Sequence, residues 1–199
     1  MQKLNQQPDI CPYFSPEFKV IPQYIIMKEG ECMELNNRTT SFFIFILSGE
    51  ITISFEQYTN RSVLENEMFF LPKNNCFKWK AVTQTVLILT GYNATIFPCT
   101  SVRARILYKI KAGVKFDCRG VVMKDEVKVV VNQMKHYLES GINCHHMYIL
   151  KHKELYLMFK HFYTYEEIIQ IFYRDKGFVN GFEKFRNCPF HMLGIVFGS

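Results

Sequence analysis

Residues Phe42–Leu47 read FFIFIL, a continuous apolar run that stops at Ser48-Gly49. It is far too short for a membrane span. It suits a β-strand buried on both faces, with Ser48-Gly49 supplying the turn that ends it. The next segment has a different pattern. Ile51, Ile53 and Phe55 alternate with Thr52 and Ser54, as in a strand with one apolar and one polar face. Asn60 and Arg61 read as a turn. Met68–Leu71 reads as a short strand stopped by Pro72-Lys73-Asn74-Asn75. Phe77–Ala81 and Thr85–Leu89 follow, the latter ending at Thr90-Gly91. Short strands punctuated in this way, over residues 20 to about 115, argue for a barrel or sandwich.

The period changes near Lys124. Val127, Val130, Val131, Met134 and Leu138 fall at helical spacing between Asp125 and Ser140, with Gly141 as the stop. A second helix is expected from Asn143 to about Phe162. Thr164-Tyr165-Glu166-Glu167 is a capping-box pattern that opens a third helix through Ile168, Ile169, Ile171 and Phe172. Gly177 would end that helix, and a short fourth segment would cover Phe182–Phe185. The layout is a mainly β domain over residues 1–118 followed by three to four helices over 119–199, with no internal repeat.

Composition narrows the class. Hydrophobic residues make up 48% and charged residues 21% of the 199, enough for a folded core; 19 phenylalanines favour a β-rich interior. The net charge of +6 is spread along the chain with no Lys/Arg run of five, so no nucleic-acid footprint stands out. Cys11, Cys32, Cys76, Cys99, Cys118, Cys144 and Cys188 are scattered, odd in number and lack a C-x-x-C pair. That is neither a disulfide framework nor a zinc knuckle, and reduced thiols in a cytoplasmic protein are expected. Met1–Asp9 is polar, without a signal segment, and no apolar stretch reaches membrane-span length. The expected setting is soluble, cytoplasmic and away from membranes.

The order of features resembles the cupin fold, a double-stranded β-helix or jelly-roll barrel. Gly30 and Gly49 have the separation of the two glycines in the first cupin motif; Asn36, Arg38 and Phe42 fall at its metal-ligand positions. Pro72 and Asn74 fall in the turn of the second motif, and Phe77 at its histidine position. The resemblance keeps the turn skeleton and changes every ligand position. Arg38 is a permanent cation and Phe42 has no lone pair, so neither a metal nor another cofactor is expected. All six histidines, His136, His145, His146, His152, His161 and His191, lie in the helical part.

A second resemblance covers roughly residues 30 to 186. Asn143-Cys144-His145-His146, Leu150-Lys151-His152-Lys153-Glu154-Leu155 and Phe162-Tyr163-Thr164-Tyr165-Glu166-Glu167 look like the helical linker of a group of AraC-family transcription regulators. Ile46-Leu47-Ser48-Gly49 and Phe69-Phe70-Leu71-Pro72 extend that likeness into the β part. It implies a ligand-sensing and dimerisation module, not an enzyme, that forms a homodimer and answers to an unidentified small-molecule effector. The family's next element is a pair of helix-turn-helix units. The sequence after Arg186, NCPFHMLGIVFGS, is a short apolar tail, so DNA contact is expected only through a C-terminal domain absent from this chain.

The expected ligand-binding residues are Arg38, holding an anionic group by paired hydrogen bonds, and Phe42, Phe77, Trp79 and Tyr92 as apolar walls. The expected dimerisation residues are Val127, Val130, Val131, Met134 and Leu138, a stripe that packs either on its own barrel or on a second copy. Two other readings stand beside this one: a small metal-independent cupin enzyme of isomerase type, and a pure dimerisation module. The first needs an acid/base pair in the barrel, and Glu50 and Glu56 are the only acidic residues on the central strands. A zinc site of Cys144, His145 and His152 on one helix face, and a reactive Cys76 after the Pro72 turn, are further candidates.

Overall fold

The computed structural model describes residues 22–37, 39–55, 58–92, 119–142 and 144–172. Its strands are β1 (Gln23–Met27), β2 (Cys32–Asn37), β3 (Ser41–Ser48), β4 (Glu50–Phe55), β5 (Tyr58–Leu64), β6 (Glu67–Leu71), β7 (Asn75–Ala81), β8 (Thr85–Tyr92) and the two-residue β9 (Val121–Val122). Three helices follow, α1 (Asp125–Glu139), α2 (His145–Phe162) and α3 (Tyr165–Phe172).

Among the described residues every strand pairing is antiparallel. A first sheet has the order β1-β8-β3-β6-β9 and a second the order β2-β7-β4-β5. Leaving β9 aside, successive strands are dealt to the two sheets so that 1-8-3-6 faces 2-7-4-5. That is the strand order of a jelly roll, the wound double-stranded β-helix expected from the sequence.

Side-chain alternation sorts the residues into two cores. Between the sheets lie Ile44 and Ile46 of β3, Ile51, Ile53 and Phe55 of β4, Phe77, Trp79 and Ala81 of β7, and Leu87 and Leu89 of β8. The opposite set of the first sheet, Phe43, Phe45, Phe70, Ile88 and Tyr92, points away from the barrel. The helices cover it with Val127, Val130, Val131 and Met134 of α1, Tyr148, Leu155, Tyr156 and Phe159 of α2, and Ile168, Ile171 and Phe172 of α3. The FFIFIL run is therefore buried on both faces because its even-numbered residues line the barrel and Phe43 and Phe45 meet the helices.

The turns use positive φ where the chain reverses sharply: Gly30 at 78°, Gly49 at 85°, Asn66 at 63° and Asn74 at 64°. At Gly49 close approach adds a second constraint. A Cβ there would lie 2.4 Å from the Gln84 carbonyl oxygen, because the β3–β4 turn sits against the turn before β8. Thr85 and Thr83 tie the two turns together. Thr85 Oγ1 donates to the Glu50 carbonyl at 3.0 Å, and the Glu50 amide donates to Thr83 Oγ1 at 3.1 Å.

Several boundaries differ from the sequence expectation. Asn60 and Arg61 are not a turn but lie inside β5; a register shift between Ile53 and Phe55 and a φ of 49° at Asn60 keep the strand paired through them. Strand β8 continues through Thr90-Gly91 to Tyr92, where Gly91 pairs with Phe42. Residues 121–122 rejoin the first sheet by pairing with Glu67 and Met68 of β6. The third helix opens on the expected capping box: the Glu167 amide donates to Thr164 Oγ1 at 3.2 Å, and the Thr164 amide donates to Glu167 Oε2 at 2.8 Å. Gly177 and the segment Phe182–Phe185 lie outside the described residues.

Candidate functional site

Strand β7 alternates cleanly. Cys76, Lys78 and Lys80 are exposed, whereas Phe77 and Trp79 turn into the barrel and are buried. Phe77 packs on Phe55 with ring centroids 4.8 Å apart. Trp79 pairs in register with Met33 of β2 on one side and Ile53 of β4 on the other. Phe42, half-buried, packs against the same core with Ile25, Met33 and Leu35. The barrel thus brings together three of the five expected ligand-binding residues, Phe42, Phe77 and Trp79.

Tyr92 belongs elsewhere. It shares the helix-facing side of β8 with Ile88, while Leu87 and Leu89 face the barrel, so its ring meets Phe70 at 5.2 Å, Phe172 at 5.4 Å and Tyr156 at 5.9 Å. Arg38 lies outside the described residues.

The cupin fold is associated with a metal in the barrel, and the side chains here do not fit one. Phe42 and Phe77 have no lone pair to donate. Asn36, placed at a ligand position by glycine spacing, is exposed and pairs with Cys76 on the outer face; Met33 and Leu35 are the β2 residues that pack inward. Among the described residues no three His, Cys, Asp or Glu side chains come together as a metal site. The expected zinc set is split in the same way, since Cys144 is exposed while His145 and His152 are buried.

Cys76 also lacks the setting of a nucleophile. Its thiol donates to Glu34 Oε1 at 3.1 Å, and that bond to a carboxylate raises the thiol pKa. The same hydrogen bond, with Lys78 nearby, lowers the Glu34 pKa.

The outer side of the first sheet is where the polar chemistry is buried. Thr90 Oγ1 and His152 Nε2 lie 2.7 Å apart, joining β8 to α2 through an otherwise apolar layer. Burial pushes the His152 pKa down to about 4, and the nearby His145 adds to the shift, so the imidazole is neutral at pH 7. His145 is lowered in the same direction by burial and by His146. Tyr148 donates to the Ile142 carbonyl at 2.8 Å, and burial pushes its pKa up to about 12.

A second polar node closes the far end of the helices. Tyr163 Oη accepts from the Lys124 amide at 2.7 Å and donates to the Val122 carbonyl at 3.1 Å. Lys124 Nζ lies 3.0 Å from Glu167 Oε1 and 5.6 Å from the centre of the Tyr163 ring. One side chain thereby ties the end of α2 to β9 and the start of α1, and the capping residue of α3 joins the same node.

The stripe expected to dimerise is used within the chain. Val127, Val130, Val131 and Met134 are at most 2% exposed against the protein's own first sheet and α2, and Leu138 packs against the same cluster. An apolar stripe demands burial but does not specify against what, and here the outer face of the first sheet supplies the partner. Among the described residues, the large apolar side chains left exposed on the helices are Val129, Leu150, Leu157 and Phe162.

Thr90, Lys124 and Tyr163 are polar residues that sequence reasoning did not mark, and His152, expected in a zinc set, pairs instead with Thr90. A threonine inside the apolar strand TVLILTGY is a usable signal, because a buried hydroxyl needs a partner. The Tyr163 node has no local signal, since its partners lie about forty residues away in sequence.

No protein-family model and no curated protein matches the sequence. Solved structures do. A conserved protein of unknown function from Streptococcus pyogenes is 19% identical with a TM-score of 0.33, over 36% of this chain and 62% of that one. The cupin domain of Schizosaccharomyces pombe Cnp3 is 19% identical with a TM-score of 0.36, over 42% and 59%. A cupin superfamily protein from Desulfitobacterium hafniense is 17% identical with a TM-score of 0.34, over 37% and 68%. The chain covers less than two thirds of the length of the first two. Among the described residues, no helix is long and apolar enough to cross a membrane.

Proposed function

We propose that this chain is a non-catalytic ligand-sensing and dimerisation module of an AraC-type transcription regulator, acting in the cytoplasm. The observation that carries the reading is the shared wall of the first sheet. In β3 and β8 the same backbone sends Ile44, Ile46, Leu87 and Leu89 into the barrel and Phe43, Phe45, Ile88 and Tyr92 into the helical layer. Both sets are buried on opposite faces of one sheet, and protein interiors pack closely, so a molecule that displaces the inner set shifts the outer set and the helices resting on it. A ligand with different affinity for two helix arrangements then shifts their populations. The aliphatic and aromatic inner wall favours binding of an apolar molecule.

Native mass spectrometry of the purified full chain tests this. The expected species is a homodimer carrying a small organic adduct and no metal. A metal-loaded monomer would overturn the proposal in favour of a cupin enzyme.

A further inference from the structure

Between the sheets the described side chains are mainly aliphatic and aromatic; the buried Thr85 hydroxyl is bonded to the Glu50 carbonyl, and one polar side-chain atom there lacks a partner. Trp79 is 2% exposed, and its indole Nε1–H has no hydrogen-bond partner among the described residues. Its cross-strand neighbours Met33 and Ile53 offer the N–H no acceptor of ordinary strength, and the buried inner set around it is aliphatic and aromatic. Lys78 and Lys80 flank Trp79 in sequence, but alternation sends both to the opposite, exposed face. Leaving a buried N–H unpaired disfavours a fold by roughly tenfold or more. A group that donates only, set in a wall that otherwise recognises nothing polar, calls for an acceptor from outside the wall.

We infer that the Trp79 indole N–H is the recognition donor for a small, neutral, mainly apolar ligand that presents one acceptor oxygen, as a ketone, ester or lactone does. The inference rests on the ligand-sensing reading above and narrows it. The ligand is neutral because no Lys or Arg is buried among the described residues: Arg61, on the inward side of the edge strand β5, is exposed, and the buried His145 and His152 belong to α2, so nothing buried in the barrel balances an anion. It is mainly apolar because Ile, Val, Leu, Met and Phe side chains form the rest of the wall. The described interior is least covered at Ile25, Met33, Leu35 and Phe42, on the edge strands β1 and β2 and the start of β3.

Trp79 is the only tryptophan in the chain, so one indole N–H cross-peak reports this atom alone. The full chain, labelled with ¹⁵N, is titrated with 2-hexanone, hexane and hexanoate. The expected result is that 2-hexanone binds at least tenfold more tightly than hexane and moves the indole proton downfield, while hexanoate binds most weakly. In Trp79→Phe, with an unchanged far-ultraviolet dichroism spectrum, the preference for the ketone over hexane disappears. Equal binding of ketone and hexane to the native chain, with the indole proton unmoved, overturns the donor assignment and leaves the apolar site standing. Tightest binding of hexanoate overturns the neutral ligand class. Failure of all three probes to bind shows a filled barrel, and the sensing reading falls together with the inference.

Discussion

The two sheets of the barrel are built from similar strands and meet different surroundings. In the second sheet β2, β4 and β7 each have one apolar and one polar side. Ile51, Ile53 and Phe55 are buried between the sheets, while Thr52 and Ser54 look outward beside Lys78 and Lys80 of β7. In the first sheet the outward residues of β3 and β8 are also mainly apolar, Ser41 and Thr90 apart, and a layer of three helices rests on them. The pattern of the strand thus reports what lies on its two sides: alternation where there is solvent, a continuous run where there is a second core. The first sheet is consequently the element through which the barrel and the helices share energy.

The most direct way to break this comparison is to truncate an outward residue in each sheet. Phe45 is fully buried under the helices, and Phe43 stacks beside it at 5.7 Å. Phe45→Ala leaves a cavity between sheet and helices and is expected to cost about 3–5 kcal/mol. Thr52→Ala on the second sheet removes a hydroxyl that makes one long contact, 3.5 Å to the Lys80 carbonyl, and is expected to cost no more than about 0.5 kcal/mol. Urea unfolding of both variants is the measurement. Equal losses would mean that the helices contribute little to holding the first sheet.

Polar groups differ between the sheets as sharply as apolar ones. Glu34 and Cys76 bond to each other on the exposed face of the second sheet, whereas Thr90 and His152 do so inside the core behind the first. His152 folds with its pKa near 4, against 6.5 for the free side chain, because burial disfavours the cation and the nearby His145 adds to it. Between those values the unfolded chain takes up a proton that the folded chain refuses. The contribution to stability is therefore complete above pH 6.5, falls as the pH drops from 6.5 to 4, and levels off below. A shift of this size corresponds to about 3 kcal/mol. Urea titrations at pH 7.5 and 4.5 should show that much more acid loss in the native chain than in His152→Gln, which keeps a polar head but does not titrate. Glu34→Gln, on the exposed face, should leave the pH profile unchanged. Parallel profiles for native chain and His152→Gln would show that the imidazole is not the buried base.

Much of the barrel can be read from local pattern because its determinants are local. The double-sided burial of Phe42–Leu47, the alternation of Ile51–Phe55 and the turns at Gly49 and Asn74 each depend on a few neighbouring residues. The capping box of Thr164 and Glu167 is legible for the same reason. What failed required knowledge of register or of distant partners. Glycine spacing put Asn36 at a ligand position, but the pairing of β2 with β7 turns it outward. Tyr92 is expected as an apolar wall of the barrel, but β8 continues through Thr90-Gly91, and alternation carries Tyr92 to the helical side. The stripe from Val127 to Met134 announced a buried face, and only the folded first sheet shows what buries it. A two-residue strand such as Val121–Val122 has no period at all.

The hold of the helices on the first sheet has a polar component that a single oxygen atom tests. Tyr163 Oη bonds to the Lys124 amide and the Val122 carbonyl, so it bridges β9, the start of α1 and the end of α2. Burial pushes its pKa up to about 12, which keeps the phenol protonated and able to donate to Val122 throughout the physiological range. Tyr163→Phe keeps the ring and its contact with Phe159 at 5.6 Å, but leaves one amide and one carbonyl without this partner. The expected cost is about 1–2 kcal/mol, smaller than that of Phe45→Ala because no cavity opens. Amide hydrogen exchange should also show faster exchange at Lys124, with β4, β5 and β7 unaffected. If protection fell equally in both sheets, the node would be supporting the whole barrel, and the division of the molecule into a helix-backed sheet and a solvent-facing one would be too sharp.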